Sequence, residues 1–150
     1  MAEQATNQLS EDLVNFLQGE QIVLLASIDA ENGSPNILCI SWLLATGPTT
    51  LRLAIDGRSK LLQNIAKNDL VTVTVLGLGT ATAITGRAKQ YIDKLAGVSL
   101  NMAGVEISID AVRDVMFYGG KLTNQLVADK TYDKTLAKKY DTEIFTALRH

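Results

Sequence analysis

The stretch LRLAIDGRSKLLQNIAKNDLVTVTV, Leu51–Val75, reads as strand, short polar loop, helix and strand. Leu51, Leu53 and Ile55 alternate with Arg52 and Ala54, as in a half-buried strand. Leu61, Leu62, Ile65 and Ala66 recur at helical spacing until Asn68-Asp69 breaks the pattern. Val71, Val73 and Val75 then alternate strictly with Thr72 and Thr74. Between the first two elements, Asp56-Gly57-Arg58-Ser59-Lys60 brings two cations, a hydroxyl and a flexible glycine to a helix start. Free backbone N–H groups and the positive end of the helix dipole favour an anion there. Arg58 can grip a phosphate in a bidentate fork, and Lys60 adds a full charge. Ser59 can cap the helix or bind the anion, two roles compatible in geometry. The loop reads as a phosphate cradle; the plainer alternative is two cations on a solvated helix start.

Upstream, Ser10 is a good N-cap, Glu11 and Asp12 occupy a favourable first turn, and Leu13, Phe16 and Leu17 form a helical stripe that Gly19 ends. Ile22–Ile28 predicts a strand, Asn32-Gly33 a tight reversal, and Asn36–Leu44 a second apolar strand. Gly47-Pro48 turns the chain into Thr50–Ile55. Downstream of Leu70–Leu76, Gly77 and Gly79 lead into Thr80–Tyr91, where Gly86 in mid-strand predicts a bulge or a close backbone approach. Ile92–Gly104 is expected to be partly helical, Val105–Met116 a sixth strand, and Tyr132–Leu148 a helix. Six strands separated mostly by turns, with helices at the ends and one crossover, predict a small antiparallel barrel, mainly β with flanking helices. One domain over 1–150 is expected, with a barrel core about 20–118 and a C-terminal helix about 132–148.

Apolar content of 47% and charged content of 20% suit a packed core and exclude wholesale disorder. A net charge of −2 argues against broad neutralisation of duplex nucleic acid. Scattered aromatics, from Phe16 to Phe145, offer no stacking platform for single strands. The lone Cys39 reads as a small buried hydrophobe. Met1–Asn7 carries no apolar leader core, and no apolar run approaches a membrane span, so a cytoplasmic protein with no membrane or nucleic-acid partner is expected. His150, the only histidine, sits at the last position, which argues against histidine-ligated metal or a Ser-His-Asp triad. Lys134, Lys138 and Lys139 interleave with Asp133, Asp141 and Glu143, as on an exposed helix face. Met116-Phe117-Tyr118 reads as core or subunit-interface packing.

Taken in order, Leu25-Ala26-Ser27-Ile28-Asp29, Gly33-Ser34-Pro35-Asn36, Ile40-Ser41-Trp42, Arg58-Ser59-Lys60 with Asn64-Ile65 and Asn68, and Ile84-Thr85-Gly86-Arg87-Ala88 resemble the flavin-binding split-barrel superfamily related to pyridoxamine 5′-phosphate oxidase. The resemblance covers about residues 9–91 and implies a six-stranded split β-barrel that dimerises, with FMN between subunits. It implies that Arg58, Ser59 and Lys60 hold the flavin phosphate and that Cys39, Ile40, Ser41 and Trp42 run beside the ring. Ala54 and Ile55 would line the same cleft, with Thr82 or Thr85 as further donors. Trp42 has a plainer role as core or interface packing. The oxidase itself holds pyridoxamine phosphate with Arg and His from a C-terminal segment. The lysine-rich tail Tyr132–His150 has no such motif and is similar to that of short, stress-protein-like members. The implied function is a homodimeric FMN-binding oxidoreductase acting on a small molecule, the flavin supplying the redox chemistry. The alternative is a non-catalytic flavin- or ligand-binding stress-response module. No catalytic acid, base or nucleophile stands out.

Overall fold

In the computed structural model, which describes residues 5–150, seven antiparallel strands form one sheet in the order β2-β1-β5-β6-β7-β4-β3. Residues 1–4 of the polar start lie outside the described residues. The elements are α1 (Glu11–Phe16), β1 (Val23–Ile28), β2 (Pro35–Ile40), β3 (Leu43–Gly47), β4 (Thr50–Asp56), α2 (Lys60–Lys67), β5 (Leu70–Gly77), β6 (Thr80–Ile92), β7 (Met102–Asp114) and α3 (Lys134–Arg149). The mainly β class with flanking helices is as expected, but there are seven strands instead of six. The apolar run Asn36–Leu44 is divided at Ser41-Trp42. Ile40 still pairs with Val23 of β1, whereas Leu43 already pairs with Leu53 of β4. β2 and β3 are the two edges of the sheet, yet only two residues join them. So short a link spans at most about 10 Å, so the sheet rolls up until its edges meet at that corner. Among the described residues no helix is long and apolar enough to cross a membrane.

Two core clusters follow from the strand alternation. Leu25, Leu51, Leu53, Val73, Ile84, Val105 and Ile107 fill the barrel interior, closed by Leu13 and Leu17 of the α1 segment and by Leu61 and Ile65 of α2. A second cluster joins Leu44 and Ala54 to Leu95, Val98 and Met102 and to Ile144, Phe145 and Leu148 of α3. Ser10, Ser59 and Asp133 cap the three helices, each side chain accepting an N–H from the first turn. Ile92–Gly104 holds no helix: β6 runs to Ile92, an irregular loop follows, and β7 starts at Met102. Its apolar residues Leu95 and Val98 serve the second cluster instead of a helical stripe. Gly86 does sit at a register shift, and a Cβ there would lie 2.3 Å from the Ser108 carbonyl oxygen. Only glycine admits so close an approach. Phe117 and Tyr118, 73% and 98% exposed, are not core residues of the single chain, because β7 has ended before them.

Candidate cofactor site

The β4–α2 loop is closed by its own hydrogen bonds. Gly57 N–H donates to the Asn101 carbonyl, Ser59 N–H to the Asp56 carbonyl, and Leu61 N–H to the Ser59 hydroxyl at 3.2 Å. Asp56 Oδ1 accepts from the Arg58 N–H at 2.8 Å and from Arg58 Nε at 3.2 Å, while Oδ2 accepts from Nη2 at 3.2 Å. The Arg58 side chain is otherwise in solvent, 88% exposed. Hydrogen bonds from the Arg58 side chain, then its N–H, hold the Asp56 carboxyl below its usual range, and Asp56 raises Arg58 in turn. An anion therefore already occupies the helix start, and it is a carboxylate of the chain itself.

Lys60, two residues on, has a different partner. Its Nζ donates to Asp29 Oδ2 at 2.6 Å, and Asp29 is only 5% exposed. Asp29 Oδ1 takes the N–H groups of Glu31 and Asn32, which folds the β1–β2 turn. The Lys60 hydrogen bond, with those two N–H donors, holds the Asp29 carboxyl at about 2. Beside them, buried Asn64 of α2 accepts from Ala30 N–H and donates to Ser27 Oγ and Asn36 Oδ1. This network ties α2 to the β1–β2 hairpin. The sequence assigns no partner role to Asp29, Asp56 or Asn64. Asp56 was detectable by its place two residues before Arg58, but Asp29 lies across the fold.

The remaining predicted residues divide between faces. Side chains directly opposite on antiparallel strands share a face. The pairs Ile37–Ala26–Thr72–Thr85–Ala111 and Cys39–Leu24–Thr74–Ala83–Arg113 therefore form two rungs across the outer surface of β2, β1, β5, β6 and β7. Cys39 is exposed there and not buried, because β2 is an edge strand and none of the described residues covers it. Thr85 shares the face, beside a depression of about 370 Å³ bordered by Ala26, Ile28, Pro35, Leu70 and Thr72. Ile40 packs inward on the barrel core, and Thr82 is buried on the face of Ile84. Ala54 faces α3, whereas Ile55 faces the barrel interior.

Ser41 and Trp42 occupy the corner between the sheet edges. Trp42 Nε1 donates to Asp141 Oδ1 of α3 at 2.7 Å, and its carbonyl accepts from Ala54 N–H. Ser41 Oγ donates to Glu20 Oε2 at 3.4 Å. One chain thus gathers Arg58, Ser59 and Lys60 at one loop, Cys39 and Thr85 on one open face, and Ser41 and Trp42 at a third place.

Several known structures share this architecture. A candidate pyridoxamine 5′-phosphate oxidase from Lactobacillus delbrueckii is 23% identical, with a TM-score of 0.64 over 75% of this chain and 98% of its own. General stress protein 26 from Bacillus anthracis is 18% identical, with a TM-score of 0.56 over 68% of this chain and 89% of its own. An F420 reductase is 13% identical, with a TM-score of 0.56 over 65% of this chain and 93% of its own. At such identities the likeness is one of fold. No curated protein matches the sequence. The family model for pyridoxamine 5′-phosphate oxidase matches residues 9–116, well over half of the sequence, and the chain belongs to that family.

Proposed function

We propose that the chain binds FMN as a homodimer and serves as a flavin-dependent oxidoreductase for a small molecule. Family membership supports a flavin-type ligand. The single observation that carries the proposal is the arrangement at Arg58, where an exposed guanidinium holds an internal carboxylate at a helix start. The donor set fits a phosphate: a solvent-facing ion pair contributes only about 0–1 kcal/mol, so a doubly charged phosphate can replace Asp56 on Arg58. Ser59 keeps the helix capped during that exchange. Lys60 fixes the loop through Asp29 and adds its charge at long range. Once bound, a flavin supplies hydride and electron transfer, and the chain's part is to position it and exclude water.

Dimerisation is supported by the open rungs through Ile37 and Cys39. A second copy against that face would cover its apolar side chains and give Thr85 and Cys39 a cleft to line. Ile40, Ser41, Trp42, Ala54, Ile55 and Thr82 then stiffen the barrel around that cleft more than they touch the ligand.

FMN titration followed by flavin fluorescence tests the site. Arg58→Ala is expected to weaken binding about 10–100-fold, the range for a charge-assisted hydrogen bond. Asp56→Asn, which removes the internal competitor, is expected to tighten it about 2–5-fold. Unchanged affinity in both variants rejects the phosphate assignment. Anaerobic reduction of the bound flavin by a nicotinamide nucleotide separates an oxidoreductase from a passive carrier.

A further inference from the structure

Residues 115–133, between β7 and α3, contain no helix or strand. The backbone is tied to the barrel by Val115 N–H to the Ala81 carbonyl and Leu122 N–H to the Gly79 carbonyl. Residues 123–129 are all exposed, and among the described residues 123–128 make no hydrogen bond to the barrel. The next tie is a single side chain. Lys130 Nζ lies 2.7 Å from Glu20 Oε2 and 3.6 Å from Asp141 Oδ1, and 5.6 Å from the centre of the Trp42 ring. That side chain is only 23% exposed, so it is far better enclosed than its neighbours. Lys134, at the start of α3, holds Asp129 and the Lys130 carbonyl from the other side. Beneath the segment, Glu20, Gln21, Ile22 and Ser41 face residues 125–130 across a cavity of about 370 Å³.

We propose that residues 123–130 form a displaceable strap, latched by Lys130, over the cleft at the Ser41–Trp42 corner. The latch is one ammonium shared by two carboxylates and an aromatic face, and among the described residues the strap makes no other hydrogen bond or ion pair to the barrel between Leu122 and Lys130. Beyond that ammonium's contacts, opening gives up mainly the covered half of Leu126, 45% exposed, since Val127 is already 85% exposed. The strap closes at the corner where β2 gives way to β3, so its state controls solvent access to Trp42 and Ser41. The device stands on this geometry alone and does not require the flavin assignment.

Thermolysin, which cuts before apolar residues such as Leu126 and Val127, reads the open state, since cleavage follows the population of the opened segment. Acrylamide quenching of Trp42, the only tryptophan, reads the corner. Lys130→Met keeps the aliphatic stem over the ring and removes the charge; Lys130→Arg keeps the charge. Loss of a half-buried ion pair with its cation–π contact is expected to speed cleavage within 123–129 about tenfold and to raise quenching of Trp42. Lys130→Arg is expected to behave as wild type, and added salt should speed cleavage of wild type but not of Lys130→Met. Wild-type cleavage and quenching in Lys130→Met would overturn the latch. So would an arginine variant as labile as the methionine one, or cleavage spread evenly along the chain.

Discussion

The outer surface of the sheet is finished differently in its two halves. Over β3 and β4, α3 lays Ile144, Phe145 and Leu148 on Leu44 and Ala54, and all five side chains are buried. Over β2, β1, β5 and β6 the outward side chains include Ile37, Cys39, Leu24, Ala26, Leu70, Thr72, Thr74, Ala83 and Thr85, and no helix among the described residues covers them. The open half tolerates water because threonine and alanine dilute its apolar residues; the barest large side chains are Ile37 of the edge strand, 64% exposed, and Leu70 at the start of β5, 45% exposed. The difference lies in what packs on the strands, and that is decided by the tail. A helix with an apolar stripe completes one half within the chain, and the proposed second copy would complete the other.

The covered half can be broken with one side chain. Ile144 is fully buried, so Ile144→Ala should destabilise the fold by about 2–5 kcal/mol through lost burial and the cavity it leaves, read as a lower urea midpoint. A cost below about 1 kcal/mol would mean that α3 is an ornament on a barrel that stands without it. On the open half the same logic predicts a change of assembly instead of stability. Ile37→Glu places a charge in the middle of the proposed subunit contact, where it should shift sedimentation from dimer to monomer. The fold of that monomer should be left within about 0.5 kcal/mol, as for other surface substitutions. A variant that remains dimeric locates the contact elsewhere.

Sequence patterning resolved much of this division but not its cause. Period-2 alternation located β4 and β5 because inward residues such as Val71, Val73 and Val75 meet a filled interior on one side only. It failed on Asn36–Leu44, where an unbroken apolar run conceals a change of partner from β1 to β4, and hydropathy carries no record of which neighbour a strand pairs with. It also misjudged Cys39, since an apolar residue on an edge strand has the same local signature as one in the core. At the candidate site, the cations Arg58 and Lys60 were legible and their helix start was correct. Of their acids, Asp56 lies within the same loop, but Asp29 was not legible, because it meets Lys60 only after the β1–β2 hairpin folds against α2. The Lys130 latch escaped notice for the same reason: Glu20, Trp42 and Asp141 are brought together by the fold alone.

The smallest expected effect concerns how each half anchors its connecting segment to a helix. On the covered half, Glu143 of α3 accepts from Ser99 N–H and Oγ, and these bonds lower its carboxyl. On the open half, Asp29 is held at about 2, first by the Lys60 ammonium and then by the N–H groups of Glu31 and Asn32. Because the folded value lies below the ordinary 3.8, Asp29 stabilises the fold fully above that ordinary value. The contribution is lost as pH falls through the window down to about 2. Lys60, raised by the same pair, gives its share below its ordinary 10.5 and loses it only above that, at strongly alkaline pH. Lys60→Met should therefore be less stable than wild type at neutral pH, with the gap narrowing as acid titrates Asp29, read from urea midpoints between pH 2 and 7. The N–H donors remain in that variant, so its carboxyl should rise only part of the way to the ordinary value. Equal stability of the two proteins across that range would assign the role of Lys60 to its aliphatic stem, which methionine keeps, and leave its charge free for a phosphate.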